Sequence, residues 1–253
     1  MEKKVFAFVG SRSSKRTTYT FVNNILSEIN KIEKIDYEIL TLNDLCIKPC
    51  IGCHSCFKNG YCNQNDDLFF LKEKILAADL FVIAAPVYMH GMPGEMKNII
   101  DRLATWAHTL RLAGKNILIV STCDTNGHTT VVDDLHIKML HMGGSVIGKY
   151  VGTKFIPQGL ETESKVIMLE KVEKDIPFLV TETLKKWESK IITNRFNESL
   201  FDKYRKNQIF LLDTEQSTGE TDYWVKSGMI NYKNFQDYID TLTLLKIGEE
   251  ING

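Results

Sequence analysis

Short apolar runs alternate with stretches of helical period through the first three-fifths of the chain. KKVFAFVG (3–10), DYEILTL (36–42), DLFVIAAP (79–86), KNILIVST (115–122) and GSVIGKYVG (144–152) have the length and composition of strands. The third is apolar without a break, as a strand covered on both faces requires. Between them lie helical patterns. Val22, Ile25, Leu26, Ile29 and Ile32 share one face of 17–32, and 65–78, 95–110 and 128–142 follow the same period. Asn65 or Asp66 is placed to cap the second of these helices. A further helical stretch spans about 162 to 193, where Pro177 is expected to end or kink it. Strands alternating with helices imply right-handed crossovers and a parallel sheet. The pattern therefore predicts an α/β fold with a doubly wound, five-stranded parallel sheet of order 2-1-3-4-5.

After residue 195 the alternation stops. Residues 1–194 form the expected domain, and 195–253 a C-terminal extension carrying Phe196, Phe201, Tyr204, Phe210, Tyr223, Trp224, Tyr232, Phe235 and Tyr238. This is too much aromatic surface to leave in water, in a segment short for a core of its own. It is expected to pack on the domain or on a partner subunit, with a partner-clasping arm the favoured arrangement.

Composition narrows the function. Lys and Arg number 31 against 32 Asp and Glu, a net charge of −1, which gives no basic footprint for nucleic acid and no polybasic membrane patch. In the opening MEKKVFAFVGSRSSKR the apolar run is too short for a signal peptide, and no stretch reaches the roughly 18 apolar residues of a membrane span. A cytoplasmic protein is expected. Its six cysteines then meet a reducing compartment, where metal or redox chemistry is commoner than structural disulfides.

Four of the six fall within PCIGCHSCFKNGYC (49–62): Cys50, Cys53, Cys56 and Cys62, spaced C-x2-C-x2-C-x5-C. One short loop with such spacers can reach the separate iron corners of an iron–sulfur cubane. A structural zinc site more often joins two separated cysteine pairs. Packed or redox-active thiols holding no metal satisfy the same pattern. Cys46 and Cys123 lie outside the motif and read as small buried hydrophobes, His54 as a loop residue, and Asp66 and Asp67 as helix caps.

Three further loops follow strands at the edge where doubly wound sheets bind ligands. GSRSSKRTT (10–18) offers the hydroxyls of Ser11, Ser13, Ser14, Thr17 and Thr18, the cations Arg12, Lys15 and Arg16, and a helix N-terminus. Together these make a phosphate cradle. The loop is neither G-x-G-x-x-G nor a Walker loop, which speaks against a dinucleotide or a nucleoside triphosphate. APVYMHGMPGEMKNIIDR (85–102) constrains its backbone at Pro86, Gly91, Pro93 and Gly94 and presents Tyr88 and Met89. Such a loop suits a planar heterocycle edged with carbonyls and nitrogens. STCDTNGHTT (121–130) completes the set. His90 and His128, within these loops, are candidates for a proton source or a hydrogen-bonding role.

In this order the motifs resemble those of the NADPH-dependent FMN reductase superfamily, and within it the iron–sulfur flavoproteins, over roughly residues 3 to 155. The resemblance implies a flavodoxin-like fold with FMN as cofactor. Ser11, Ser13, Thr17 and Thr18 would take the phosphate. Ser13 stands where relatives often carry arginine, so Arg12 or Arg16 would supply the charge. Pro86, Val87, Tyr88, Met89, His90 and Gly91 would line the isoalloxazine, with Thr122, Cys123, Asp124 and Gly127 closing its far side. Cys123 and Asp124 are bulkier than the glycine-rich third loop of many relatives, which would narrow access to the flavin. The four cysteines would ligate a [4Fe-4S] cluster. The implied activity is an FMN-dependent oxidoreductase passing electrons from NAD(P)H or a reduced protein donor to a small-molecule or protein acceptor, as a homodimer or homotetramer. The alternatives are a non-enzymatic flavodoxin-like electron carrier and a zinc-stabilised interaction module.

Overall fold

The computed structural model describes residues 2–155 and 164–252. Strands β1 (Lys3–Val9), β2 (Ile35–Thr41), β3 (Leu80–Pro86), β4 (Asn116–Cys123), β5 (Ser145–Thr153) and β6 (Lys165–Met168) form one parallel sheet in the order β2-β1-β3-β4-β5-β6. The expected order 2-1-3-4-5 is present, but the sheet has six strands where five were expected. β6 pairs with β5 from Tyr150–Lys165 to Thr153–Met168. It is four residues long and buries only Ile167, so it leaves almost no period of its own and merged into the helix expected over 162–193. Residues 162 and 163 of that stretch lie outside the described residues.

The two-residue period of the strands sorts their side chains into two cores. Val5, Ala7 and Val9 of β1 join Leu80, Val82 and Ala84 of β3 beneath α1 (Thr17–Ile32) and α7 (Val172–Glu188). Phe6 and Phe8 join Phe81 and Ile83 on the other face, under α3 (Leu68–Ala77), α4 (Gly94–Arg102), α5 (Ala104–His108) and α6 (His128–His141). Two helical expectations change in detail. The helix over 95–110 breaks at Leu103, whose φ of −96° and ψ of 9° separate α4 from α5. Of the two outcomes expected at Pro177, an end or a kink, the end is ruled out, since Pro177 lies inside α7. Its missing N–H leaves the carbonyl of exposed Glu173 to solvent, a local loss offset by burial of Ile176, Leu179, Val180 and Trp187.

A short α2 (Ser55–Asn59) sits within the cysteine loop. Beyond the domain, α8 (Arg195–Asp213), α9 (Gly219–Lys226) and α10 (Phe235–Asn252) replace the unpatterned tail that the sequence suggested. Phe201, Trp224, Met229, Phe235, Tyr238 and Ile239 bury one another around Leu110, which follows α5. These aromatic residues are therefore covered within the chain itself, while Phe210 stays exposed. No described helix is long and apolar enough to cross a membrane.

Candidate functional site

Register places three loops side by side at the carboxyl edge of the sheet. Val9 of β1 pairs with Ala84 of β3, and Pro86 pairs with Thr122 of β4, so the chain leaves all three strands at neighbouring points. Between the loops lies a cleft of about 570 Å3 lined by Ser11, Arg16, Thr17, Thr18, Pro86 to His90, Thr122 to Asn126 and Lys154. That volume is within the usual range of a cofactor site. On one side α1 begins with no acidic residue in its first turn and no side-chain cap at Arg16. The amides of Thr17, Thr18 and Tyr19 thus have no partner among the described residues, and a helix N-terminus in this condition favours an anion. Buried Thr18 shares a 2.6 Å hydrogen bond with the hydroxyl of Thr122, tying the first loop to the third.

The second loop is strained where it borders the cleft. Met89 and His90 adopt left-handed backbone with φ of 48° and 58°, a conformation that side chains with a Cβ rarely take. Tyr88 and Gly91 exchange backbone hydrogen bonds of 2.8 and 2.9 Å, closing the turn, and Met89 is left 98% exposed. Gly127 stands at the start of α6 with φ of 80°, and a Cβ there would meet Val87 at 2.6 Å. It sets the spacing of the second and third loops from behind the cleft. His128, beside it, is buried, with Nδ1 3.8 Å from Cys123 Sγ. Burial pushes the Cys123 thiol up and the His128 imidazole down, so neither is charged at neutral pH. His90 is the exposed histidine at the cleft.

Of the remaining residues singled out in the sequence, Arg12 turns away. Its guanidinium pairs with Glu95 and donates to Asn43, which leaves Arg16 as the arginine of the cleft. Ser13 accepts from the amide of Lys15 and does not line the cleft, nor does Gly91. Lys154, which the sequence reading missed, does line it and pairs with Asp124 at 2.8 Å. It directly follows β5 and carries no motif, so only the sheet order brings it there.

The cysteine loop is anchored to the domain by one cation. Arg102, on the buried face of α4, donates to the Lys48 carbonyl at 2.6 Å, to both carboxylate oxygens of Asp66 at 2.8 and 3.2 Å, and to Cys62 Sγ at 3.3 Å. Both side chains of the Arg102–Asp66 pair are 1% exposed. Asp66 is thus more than the helix cap the sequence suggested. Burial alone would push its carboxyl up, but Arg102 and the amides of Lys48 and Leu68 outweigh that and hold it below its ordinary range. Asp67, also read as a cap, accepts from the amide of Cys46 at 2.6 Å and so pins the near end of the loop. Cys50 and Cys53 are exposed, while Cys56 and Cys62 are half-buried neighbours; burial, then Cys62, pushes the Cys56 thiol up. Cys46, expected in the core, is exposed. Among the described residues no three His, Cys, Asp or Glu side chains converge as they would on a single metal ion. Four thiols in one loop, one already accepting from a buried guanidinium, fit the wider span and negative charge of a polynuclear cluster better than one ion. Arg102 closes the DR of the second motif, and its signal was a cation three residues after Ile99 on an otherwise apolar helix face.

The sequence profile of the NADPH-dependent FMN reductase family matches residues 3–158. An iron-sulfur flavoprotein of Archaeoglobus fulgidus is 40% identical over 99 residues, 39% of this chain and 48% of that one. The chain therefore spans about half the length of that relative. An iron-sulfur flavoprotein of Clostridioides difficile is 26% identical over 86% of this chain and 93% of its own length. Among solved structures, a flavoenzyme NAD(P)H:(acceptor) oxidoreductase from Paracoccus denitrificans superposes with a TM-score of 0.51 at 18% identity, covering 74% of this chain and 97% of that one. At that identity the likeness speaks to the fold alone.

Proposed function

The chain belongs to the NADPH-dependent FMN reductase family, and from that premise we propose that it is an FMN-dependent oxidoreductase. It takes electrons from NAD(P)H or a reduced protein donor and passes them to a small-molecule or protein acceptor. The observation that carries this reading is the cleft itself: an uncapped helix N-terminus at one end and a strained, exposed Tyr88–His90 turn at the other. The amides of Thr17 and Thr18 and the hydroxyls of Ser11 and Thr17 would bind the phosphate, and Arg16 would neutralise it. Val87 to His90 and Thr122 to Asn126 would hold the flat ring. FMN, when bound, supplies the hydride and single-electron chemistry. His90 is placed to hold a proton at the rim, while buried, neutral His128 keeps the third loop in place.

The four-cysteine loop adds a second redox group in this reading. Cys50, Cys53, Cys56 and Cys62 would hold a [4Fe-4S] cluster, which exchanges single electrons. Two relatives are named iron-sulfur flavoproteins, and the chemistry of the donor set here agrees with that name. Flavin titration and steady-state oxidation of NAD(P)H with ferricyanide as acceptor test the proposal. Wild type is expected to bind FMN and turn over; Ser11→Glu with Thr17→Glu should strip the cofactor by placing two negative charges in the cradle. Full flavin retention in the double variant would remove the assigned cradle. A flavin-loaded wild type that never oxidises NAD(P)H would remove nicotinamide as the donor and leave a reduced protein donor or the electron-carrier reading.

A further inference from the structure

A second cavity, of about 550 Å3, lies between the cysteine loop, α3, α5 and α9. Of the four motif thiols only Cys56 and Cys62 reach it, so it stands beside the loop rather than within it. One wall, formed by Gly219, Glu220 and Tyr223, belongs to the C-terminal extension, outside the residues that match the family. We propose that this chamber binds a neutral, planar heterocycle of the purine class, stacked on aromatic side chains and read along its edge by donors set beside acceptors. Neither FMN nor a cluster takes part in it.

Open aromatic surface points to a ring. Tyr61 and Phe69 both line the chamber, yet they are 62% and 71% exposed. Rings left this open at a concave site offer their apolar faces to an occupant. The lining also holds Trp106, with the Lys72 ammonium 6.0 Å from its ring centre, and Tyr223, with the Arg111 guanidinium 4.4 Å from its own. Aromatic rings and arginine planes are the surfaces on which nucleic-acid bases stack.

Charge sets the second limit. Lys72 and Arg111 are matched by two acids of the same lining, Glu73 and Glu220. Asp66, also there, is already paired with buried Arg102, and Glu220 shares a 2.8 Å hydrogen bond with His108 Nδ1. A fully charged occupant would therefore meet repulsion as well as attraction. What the chamber offers is hydrogen bonding of both kinds. The Lys72 ammonium and Arg111 guanidinium donate, the Glu73 and Glu220 carboxylates accept, and the carboxamides of Asn63 and Asn65 do both. A purine edge carries donors and acceptors side by side. A hydrocarbon ring would displace the water on these groups without replacing its hydrogen bonds.

The walls are held before any ligand arrives. Gly219 opens α9 directly against the cysteine loop, and a Cβ there would fall onto the backbone of Asn59 and Gly60. Phe57 of the loop stacks on His108 at 5.2 Å, and His108 on Tyr204 of α8 at 5.2 Å. Trp224 Nε1 donates to the His108 carbonyl at 2.9 Å. A purine seated here touches both the domain and the extension, and stabilises the native chain by mass action.

The test titrates adenosine into the full chain saturated with FMN, followed by isothermal calorimetry. The comparison probe is 2-naphthoate, a ring of similar size that carries a charge and lacks the donor edge. Adenosine is expected to saturate one site per chain, to bind more tightly than 2-naphthoate and to raise the thermal unfolding midpoint. Tyr61→Ala with Phe69→Ala should weaken adenosine about tenfold, the usual order for lost base stacking. Flavin content and the ligand-free midpoint should stay at wild-type values, because both rings are exposed. NADP+ in the same calorimetry separates two sources of the ring. Weakening in parallel with adenosine assigns it to the adenine end of the dinucleotide; NADP+ binding that is unchanged or absent assigns it to a free nucleoside. No saturable adenosine binding, binding untouched by the double variant, or 2-naphthoate binding as tightly would each overturn the proposal.

Discussion

Arg102 shows how much of this protein rests on one side chain. It joins a helix of the domain, the near and far ends of the cysteine loop, and Asp66 in a site closed to water. Removing one partner of a buried pair leaves the other charge uncompensated, at a cost of about 3–5 kcal/mol. Arg102→Met is expected to lose that much in urea unfolding, and adding Asp66→Asn should restore a large part of it, since replacing both partners is often close to neutral. The pair also carries a pH signature. The folded Asp66 carboxyl is held below its ordinary value of 3.8. Its contribution is therefore whole above about pH 4 and is lost as pH falls through the folded value. Acid unfolding of Arg102→Met should lack that step. At this scale the sequence was legible for most residues that line the cleft, though not for the placing of Arg12, Ser13 and Gly91, and it did not single out Arg102, Lys72 or Lys154. A cation in an apolar stripe, on an amphipathic helix or after a strand is ambiguous until burial and partners are known.

At the scale of elements, the chain advertised what repeats and concealed what is brief. β1, β3 and β4 were legible because each gives unbroken apolar residues to two covered faces, and their order set three loops round one cleft. β6, with one buried residue, and α5, only five residues long, leave no such record. The start of α6 joins fold and site. His128 opens that helix in a buried position, where burial pushes the imidazole below its ordinary 6.5 and the helix N-terminus adds to the cost of a positive charge. Folded stability is then whole above about pH 6.5 and falls as pH drops through the folded value, because only the unfolded chain readily takes the proton. His128→Gln should flatten the stability–pH curve in that interval, measured by urea midpoints across a pH series. A slope identical to wild type would mean that another group carries it.

For the whole molecule, the question is what the extension does once its aromatic residues are accounted for. The sequence could say that they must be covered but not by what, because helix faces declare a buried side without declaring a partner. In the structure Trp224 is fully buried against Phe201, at 5.3 Å between ring centres, and hydrogen-bonds to the backbone of α5. Leu110 from the domain completes that cluster. The extension is then part of the same cooperative unit as the domain it covers, and damage to its core should weaken the entire chain. Trp224→Ala is expected to cost about 3–5 kcal/mol for the ring and the cavity it leaves, seen as one shifted unfolding transition by both circular dichroism and flavin fluorescence. FMN affinity should hold in the native protein, because none of the residues lining the flavin cleft belongs to the extension. Light scattering on the same variant separates this from a clasping arm: burial within one chain predicts an unchanged mass per particle, whereas an arm gripping a second subunit would give smaller particles when its anchor is removed. A split transition, with the flavin domain melting at its wild-type midpoint, would show the extension to be an independent unit.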